Sequence, residues 1–353
     1  MFSHDSSNKY NSPKLLSRDQ FRESVFKRDN FKCIFCDSPA KDAHHILERR
    51  LWPDGGYYLE NGASVCEYHH LQCEMTLISC EQIREKLNIK PFLPPHLYEE
   101  YRYDKWGNII LNDSKRVKGE LFFDESVQKI LKEGGVLHQF IKYIKYPRTN
   151  HLPWSESVNK DDRVLSDINE FIGKRVIVTT KMDGENTSMY NDYIHARSID
   201  GNSHPSRNWV KNFWSSIKHD IPEGWRLCGE NLYAEHSIHY YDLDTYFMLF
   251  SVWNEKNECI SWDDTLEWAD LMEIKTVPIL YDGIFNEKII KSLWDNSKRD
   301  IMEGYVIRLA NSFKYSEFGR SVAKFVRSGH VQTCKHNWQT QPIIPNGLKQ
   351  NLI

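Results

Sequence analysis

Two groups of residues in this chain have the types and spacing to do chemistry. The first is Lys181-Met182-Asp183-Gly184-Glu185-Asn186. Asp-Gly makes a tight turn, and the lysine ends an apolar, β-branched run, Val176-Ile177-Val178-Thr179-Thr180, that reads as a strand. A lysine amine attacks only when unprotonated, which requires desolvation or nearby cations. Alone, Lys181-Met182-Asp183-Gly184 is an ordinary hairpin turn with a surface lysine; the signal is the company it keeps. Gly229-Glu230-Asn231-Leu232-Tyr233 follows an apolar strand with Trp225 and Leu227, and Phe247-Met248-Leu249-Phe250-Ser251-Val252-Trp253 is another strand. Glu303-Gly304-Tyr305-Val306-Ile307-Arg308 comes next, then Val322-Ala323-Lys324-Phe325-Val326-Arg327.

The second group is a cysteine and histidine cluster. Cys33-Ile34-Phe35-Cys36 and Cys66-Glu67-Tyr68-His69 offer two ligand pairs at matching spacing, and four such ligands close a tetrahedral zinc site. Between them lie His44-His45 and Asn61, and His70 follows the second pair directly. Cys73 and Cys80 read as core thiols.

The elements that must position these residues can be traced along the chain. Residues 1–17 are polar and loose. Ser17-Arg18-Asp19-Gln20 is a cap-like start for a basic helix running to Asp29. A helix near Cys80–Leu87 precedes a break at Pro91-Phe92-Leu93-Pro94-Pro95, and a turn leads into a short strand around Tyr103–Ile110. Helical periodicity over 125–145 is carried by Val127, Ile130, Leu131, Phe140 and Ile144. A loop from Tyr146 to Ser157 leads into the second domain. His204-Pro205-Ser206-Arg207-Asn208-Trp209 suits either gripping a nucleic acid strand or a helix entry with the tryptophan packed inward. Trp262 and Trp268, near Asp263-Asp264, read as a capped amphipathic helix, and the last residues, after about Val331, read as a tail.

The ordered set around Lys181 resembles motifs I, III, IIIa, IV and V of the covalent lysine nucleotidyltransferase superfamily, and within it the ATP-dependent RNA ligases, over about residues 145–332. The resemblance implies that Lys181 attacks the α-phosphorus of ATP and carries AMP to a 5′-phosphate, which a 3′-hydroxyl then joins. It implies Glu230 on the ribose, Phe250 stacked on the adenine, Glu303 on a divalent cation (Mg2+ or Mn2+), and Lys324 on the α-phosphate with Arg308 assisting. It places Asn186 near the transferring phosphate and Arg197 on the nucleotide or a strand end, with Asp183 shaping the turn. Lys324, Arg308 and the cation are then the charges expected to depress the Lys181 pKa. Motif V departs from the family pattern, which has two lysines one residue apart; here Lys324 stands alone, with Arg327 as the expected replacement.

The N-terminal order resembles the HNH endonuclease family. That implies His45 as a general base titrating near neutral pH, His44 and His70 holding a divalent cation, and Asn61 pinning the loop that aims His45. Cys33, Cys36, Cys66 and His69 become the structural Zn2+ set. The family usually has cysteine where His69 stands, so which of His69 and His70 serves which metal stays open, as does whether the module cuts nucleic acid or only grips it.

With 353 residues, a rule of about 150 per domain gives two domains. A 40% hydrophobic content fills sizeable cores, and 46 basic against 49 acidic residues excludes an indiscriminate polycation. Five of the eight cysteines lie between Cys33 and Cys80, beside histidines, which favours metal over disulfides; Cys228, Cys259 and Cys334 are scattered. With no membrane-length apolar run and no signal-peptide core, the expectation is a soluble, cytoplasmic protein acting on RNA, with DNA as the alternative, and not on membranes.

The expected fold class is α+β: a zinc-stapled ββα-metal domain (HNH, treble-clef-like) over 1–125, a helical linker over 126–145, and an ATP-grasp-like antiparallel-sheet nucleotidyltransferase domain over 146–353. The chain ends too soon after Lys324 for an oligonucleotide-binding barrel, which favours RNA ligase over DNA ligase or capping guanylyltransferase. The third alternative is a nuclease with an accessory ligase-like domain. HNH cleavage leaves the 5′-phosphate and 3′-hydroxyl ends that such a ligase seals, so the two modules together imply cutting and resealing, or trimming before joining.

Overall fold

Ser17 and Gln20 close a reciprocal capping box, and helix α1 (Arg18–Arg28) follows with Phe21 and Val25 as its buried face. These coordinates are a computed structural model that describes residues 13–199, 204–299, 301–329 and 342–349. Cys334, and most of the polar start, lie outside the described residues. The chain divides into two compact units, Met1–Ile141 and Lys142–Ile353.

In the first unit, β1 (Asp42–His45) and β2 (Gly62–Val65) form an antiparallel pair, and α2 (Glu67–Glu74) starts directly after Cys66. Helix α3 (Cys80–Leu87) is capped by Ser79 and Gln82 and stops at Asn88 in the left-handed conformation, φ 51°. Strands β3 (Arg102–Tyr103), β4 (Ile109–Ile110) and β5 (Arg116–Val117) make a small antiparallel sheet. Its centre is the buried Asp104 carboxylate, which accepts from Trp106 N at 2.9 Å, Asn108 N at 3.1 Å and Arg116 Nη1 at 2.9 Å. Helix α4 (Glu125–Glu133) does not form the linker expected over 126–145. Its Val127 and Leu131 pack with Trp106, Phe122 and Val136, so its apolar stripe completes the first unit's core, and the division falls at 141/142.

The second unit holds β6 (Asn150–His151), β7 (Arg175–Lys181), β8 (Glu185–Met189), β9 (Ile194–Ala196), α5 (Asn208–Ile217), β10 (Arg226–Asn231), β11 (Phe247–Trp253) and β12 (Glu258–Cys259). Then come α6 (Trp262–Leu271), β13 (Ile279–Ile284), α7 (Glu287–Ser292), β14 (Gly304–Leu309), β15 (Phe313–Lys314), α8 (Phe318–Ser321) and β16 (Val322–Val326). They build a six-stranded sheet, β15-β12-β11-β10-β8-β9, and a five-stranded sheet, β13-β7-β14-β16-β6. All pairings are antiparallel except β16 with β6.

Strand β7 is covered on both faces: Val176 and Val178 join one core cluster and Ile177 another. That double burial accounts for its unbroken apolar run. The run turns polar at Thr179, Thr180 and Lys181, where the strand meets a cavity. Residues 342–349, expected within a tail, are docked: Ala234 bridges Pro345 and Leu243 bridges Leu348. Among the described residues, no helix is long and apolar enough to cross a membrane.

Candidate active site and metal centres

Lys181 closes β7, and its Cα partner on the neighbouring strand is Gly304. The residue before that glycine, Glu303, is 6% exposed and its carboxylate Oε2 is ion-paired to Lys181 Nζ. A Cβ at Gly304 would meet the Phe325 carbonyl oxygen at 2.0 Å. Only glycine therefore lets β16 approach closely enough to hold Glu303 there.

The Lys181 side chain faces a cavity of about 270 Å³, lined also by Asn186, Arg197, Glu230, Phe250, Arg308 and Lys324. Seven of the residues expected from sequence thus converge on one space. Glu230 and Asn186 are direct cross-strand partners on β10 and β8, and Glu230 Oε1 accepts from Gly184 N at 3.2 Å. Asn186 Oδ1 is buried without a hydrogen-bond partner. Phe250 stands with Tyr146, ring centroids 5.2 Å apart. Asp183 lies beneath the turn: its Oδ2 accepts from Ser237 N at 2.7 Å, Ser237 Oγ at 2.6 Å and Ile238 N at 2.9 Å.

Electrostatics here run against the expectation that cations depress the Lys181 pKa. Burial works to lower it, but Glu303, Glu230 and Asp183 together hold it above its ordinary value. Lys324 carries the depressed pKa, through burial first and then the Lys181 charge. Glu230 is pushed up to about 8, chiefly by burial, with Lys181 opposing and Glu303 and Asp183 adding to the rise.

Arg308 lines the cavity away from Lys181, and Arg327 sits elsewhere. Arg308 pairs with Ile177, four residues along β7 from Lys181, so its Cα lies roughly 13 Å away at strand rise. Its guanidinium donates to Ile260 O at 2.8 Å and packs over Trp262 and Phe313, at the aromatic end of the cavity. Arg327 is 6% exposed, with Nη1 on Ser328 O at 3.3 Å, and does not line the cavity. His204-to-Trp209 also takes the bland arrangement: Arg207 is ion-paired to Glu185, and Trp209 packs on Phe213 and Tyr246.

Sequence reasoning missed Arg148 and Asp162, which line the same cavity. Arg148 comes from the loop, Tyr146 to Ser157, expected only to lead into the domain, and Asp162 lies just beyond it. That segment is anchored by β6 beside β16, with His151 as Cα partner of Lys324. His151 Nε2 stands 3.4 Å from Asp162 Oδ2. Such a long-range pairing leaves no local pattern. Trp262, read as a plain helix residue, also lines the cavity.

The first unit carries two ligand clusters. Cys33, Cys36, Cys66 and His69 have ligand atoms all within 4.8 Å of one another. His69 Nδ1 is 3.2 Å from Cys66 Sγ and 3.4 Å from Cys33 Sγ. Three sulfurs and one imidazole at this spacing fit a structural Zn2+. His44, His70 and Glu74 form the second cluster, so the geometry assigns His69 to the cysteines and His70 to His44. Glu74 was not singled out from sequence, yet at i+4 from His70 on α2 it must share that residue's face. Its Oε1 is 3.3 Å from both His44 Nδ1 and His70 Nε2. Two imidazoles and a carboxylate fit a divalent cation with positions left open.

The buried Lys105 reaches into this cluster as well, with Nζ 3.0 Å from Glu74 Oε1 and 3.0 Å from the His45 carbonyl oxygen. His44, His70 and Lys105 together outweigh burial and hold the Glu74 carboxyl well below its usual range. Asn61 is 1% exposed; its Oδ1 accepts from Leu47 N at 2.9 Å and its Nδ2 donates to Leu47 O at 2.9 Å. It thus pins the turn that follows His45. The His45 ring stacks on Phe21, centroids 4.5 Å apart. Its pKa is lowered to about 3 by burial, then by Lys105 and Arg49, which corrects the expectation that it titrates near neutrality.

Comparison with known proteins gives one family match, within the second unit. Residues 174–326 match the RNA ligase family. Among solved structures, a Naegleria gruberi RNA ligase mutant with AMP and Mn is 16% identical, covering 53% of this chain and 63% of that one, TM-score 0.35. A putative ATP-dependent DNA ligase from Aquifex aeolicus is 20% identical, covering 53% and 50%, TM-score 0.39. An archaeal ATP-dependent RNA ligase is 15% identical, covering 53% and 49%, TM-score 0.35. The chain thus spans about half to six tenths of the length of these three. No curated protein matches.

Proposed function

We propose that the second unit is an ATP-dependent RNA ligase domain working through a Lys181–AMP intermediate. The observation that carries this reading is the Lys181 side chain, set at a strand end against a cavity whose walls hold Glu230, Asn186 and Lys324, within the segment that matches the RNA ligase family. The cavity's aromatic end, with Phe250, Tyr146 and Trp262, suits a purine base, and its cationic end, with Lys324, Arg197 and Arg148, suits phosphates.

Lys181 gives its proton to solvent, its lone pair forms the Nζ–Pα bond, and the Pα–O bond to pyrophosphate breaks with its electrons on the leaving oxygen. Lys324 balances charge on the non-bridging oxygens. A divalent cation held by Glu303 would supply positive charge beside Lys181 and ATP. A 5′-phosphate oxygen then displaces Lys181 to form the adenylated end. Finally a 3′-hydroxyl attacks the 5′-phosphorus, releasing AMP.

The test is a chase of labelled enzyme-AMP onto nicked RNA, nicked DNA and single strands. Sealing of nicked RNA supports the reading. Transfer confined to nicked DNA favours the DNA ligase alternative.

For the first unit, a nucleic-acid-cutting module of HNH type is the reading favoured by the cluster of His44, His70 and Glu74 beside the Asn61-pinned turn. These three residues would hold a divalent cation that neutralises phosphodiester charge, and His45 would take a proton from water. Coupled to sealing, this gives cut-and-reseal processing or end trimming. Loss of nicking with intact sealing in His45→Ala supports it; sealing without any cleavage by the wild type reduces the module to a clamp.

A further inference from the structure

The segment 342–349 has no place in the reaction just described, yet hydrogen bonds tie it to the chain around residues 232–246. Asn346 is 2% exposed. Its Oδ1 accepts from Tyr240 N at 2.8 Å, its Nδ2 donates to Leu232 O at 2.8 Å, and its carbonyl oxygen accepts from Tyr246 Oη at 2.8 Å. Asn346 N donates to Tyr233 O at 2.9 Å, and Gly347 N to Tyr240 O at 2.7 Å. A Cβ at Gly347 would meet the Tyr241 carbonyl oxygen at 2.5 Å, so the two backbones could not close with any other residue there. Ile344 and Leu348 stay 53% and 40% exposed. The docking is therefore polar and specific, not a product of hydrophobic burial.

What this segment grips is the connection between β10 and β11, and that connection grips the nucleophile's turn. Tyr240, held at both its N–H and its carbonyl by Asn346 and Gly347, accepts from Asp183 N through its hydroxyl at 3.0 Å. Ser237 and Ile238, in the same connection, hold the Asp183 carboxylate. Asp183 is two residues from Lys181. The path from clasp to nucleophile is short and continuous: Asn346, Tyr240, Asp183, Lys181.

We propose that residues 342–349 are a C-terminal clasp and that Asn346 is a positioning residue, acting through Tyr240 and Asp183 to fix Lys181 for attack on the nucleotide. The inference rests on the reading of Lys181 as the adenylated residue. In-line attack tolerates little misplacement: a shift of about 1 Å can cost on the order of a hundredfold in rate. A segment held by backbone hydrogen bonds with little buried apolar surface is also the kind that opens before the core does. The clasp thus makes nucleotidyl transfer depend on a stretch of chain well beyond the strands that form the cavity.

The experiment is single-turnover formation of the protein–AMP adduct in the full chain, comparing wild type, Asn346→Ala and Asn346→Asp, well below each melting temperature. Asn346→Ala is expected to slow adduct formation at saturating ATP by ten- to a hundredfold, with the KM for ATP within about threefold. Asn346→Asp, which keeps the acceptor for Tyr240 N, should recover a substantial part of the rate. Tyr240→Phe removes only the hydroxyl that holds Asp183 N, and should show the same split of rate against KM. It carries the test if Asn346→Ala does not fold. Wild-type rates in Asn346→Ala, or in Tyr240→Phe where only that variant folds, overturn the proposal. So does a loss confined to KM, or one that vanishes on cooling. If wild-type protein forms no adduct, the reading of Lys181 falls and takes the clasp's role with it; a normal wild-type adduct with an indifferent Asn346→Ala removes the clasp alone.

Discussion

Lys181 and Glu303 are ion-paired across adjacent strands, with Gly304 the direct cross-strand partner of the lysine. In this arrangement the Lys181 pKa is held above its ordinary value, burial working to lower it and the neighbouring acidic groups, Glu303 first among them, outweighing that. The pair is therefore a resting state from which Lys181 must be released.

That relationship predicts a pH dependence. Glu303→Gln removes the nearest negative charge and leaves burial, which favours the neutral amine. The midpoint for modification of Lys181 by a neutral acylating reagent, followed by mass spectrometry, should move to lower pH in this variant. An unchanged midpoint would mean that Glu303 does not govern the lysine's charge.

Glu230 gives a stability prediction of opposite origin. Its folded pKa of about 8 lies above the ordinary carboxyl value of about 4.3, so the folded state binds more protons than the unfolded state between these limits. Stability contributed by the protonated carboxyl is present at low pH and is lost as pH rises towards 8. Glu230→Gln should remove this loss. The melting temperature of the variant relative to wild type should climb from pH 5 to pH 8, and a flat difference would contradict the assignment.

The two ligand clusters separate by mutation. His69→Ala should abolish bound zinc, whereas His70→Ala should keep zinc and weaken Mn2+ binding, read by elemental analysis and by paramagnetic resonance of Mn2+. The reverse pattern would overturn the division seen around α2. Stripping zinc should unfold the segment around β1 and β2, since a structural zinc site contributes folding energy directly.

Asn61→Ala leaves the buried Leu47 N–H and carbonyl without their side-chain partner. Leaving buried polar groups unpaired costs about 1–3 kcal/mol. Denaturant unfolding should show a loss of that order, together with a weaker nicking activity if the turn positions His45.

How far these sites could be read from sequence depended on whether their geometry is local. Lys181, Glu230 and Glu303 stand at or beside strand ends, the two glutamates next to glycines, and apolar runs announce those strands, so residue type and order led to the cavity. Arg308 misled because its motif position says nothing of distance along the strand, and four residues along β14 carry it to the aromatic end. Glu74 and Lys105 were missed for different reasons. Glu74 needed only the helical face of His70, whereas Lys105 reaches the cluster across a sequence separation that no motif marks. Helix α4 showed the right periodicity, but periodicity does not say which core receives the apolar face. Asn346 was invisible because its partners are mostly backbone groups, which any sequence supplies.

The most direct test of the central claim is incubation with ATP labelled at the α-phosphate, with the adduct mapped by peptide mass spectrometry. The account predicts one AMP per chain on Lys181 and none in Lys181→Ala. Label absent from wild-type protein, or retained in Lys181→Ala, would contradict it.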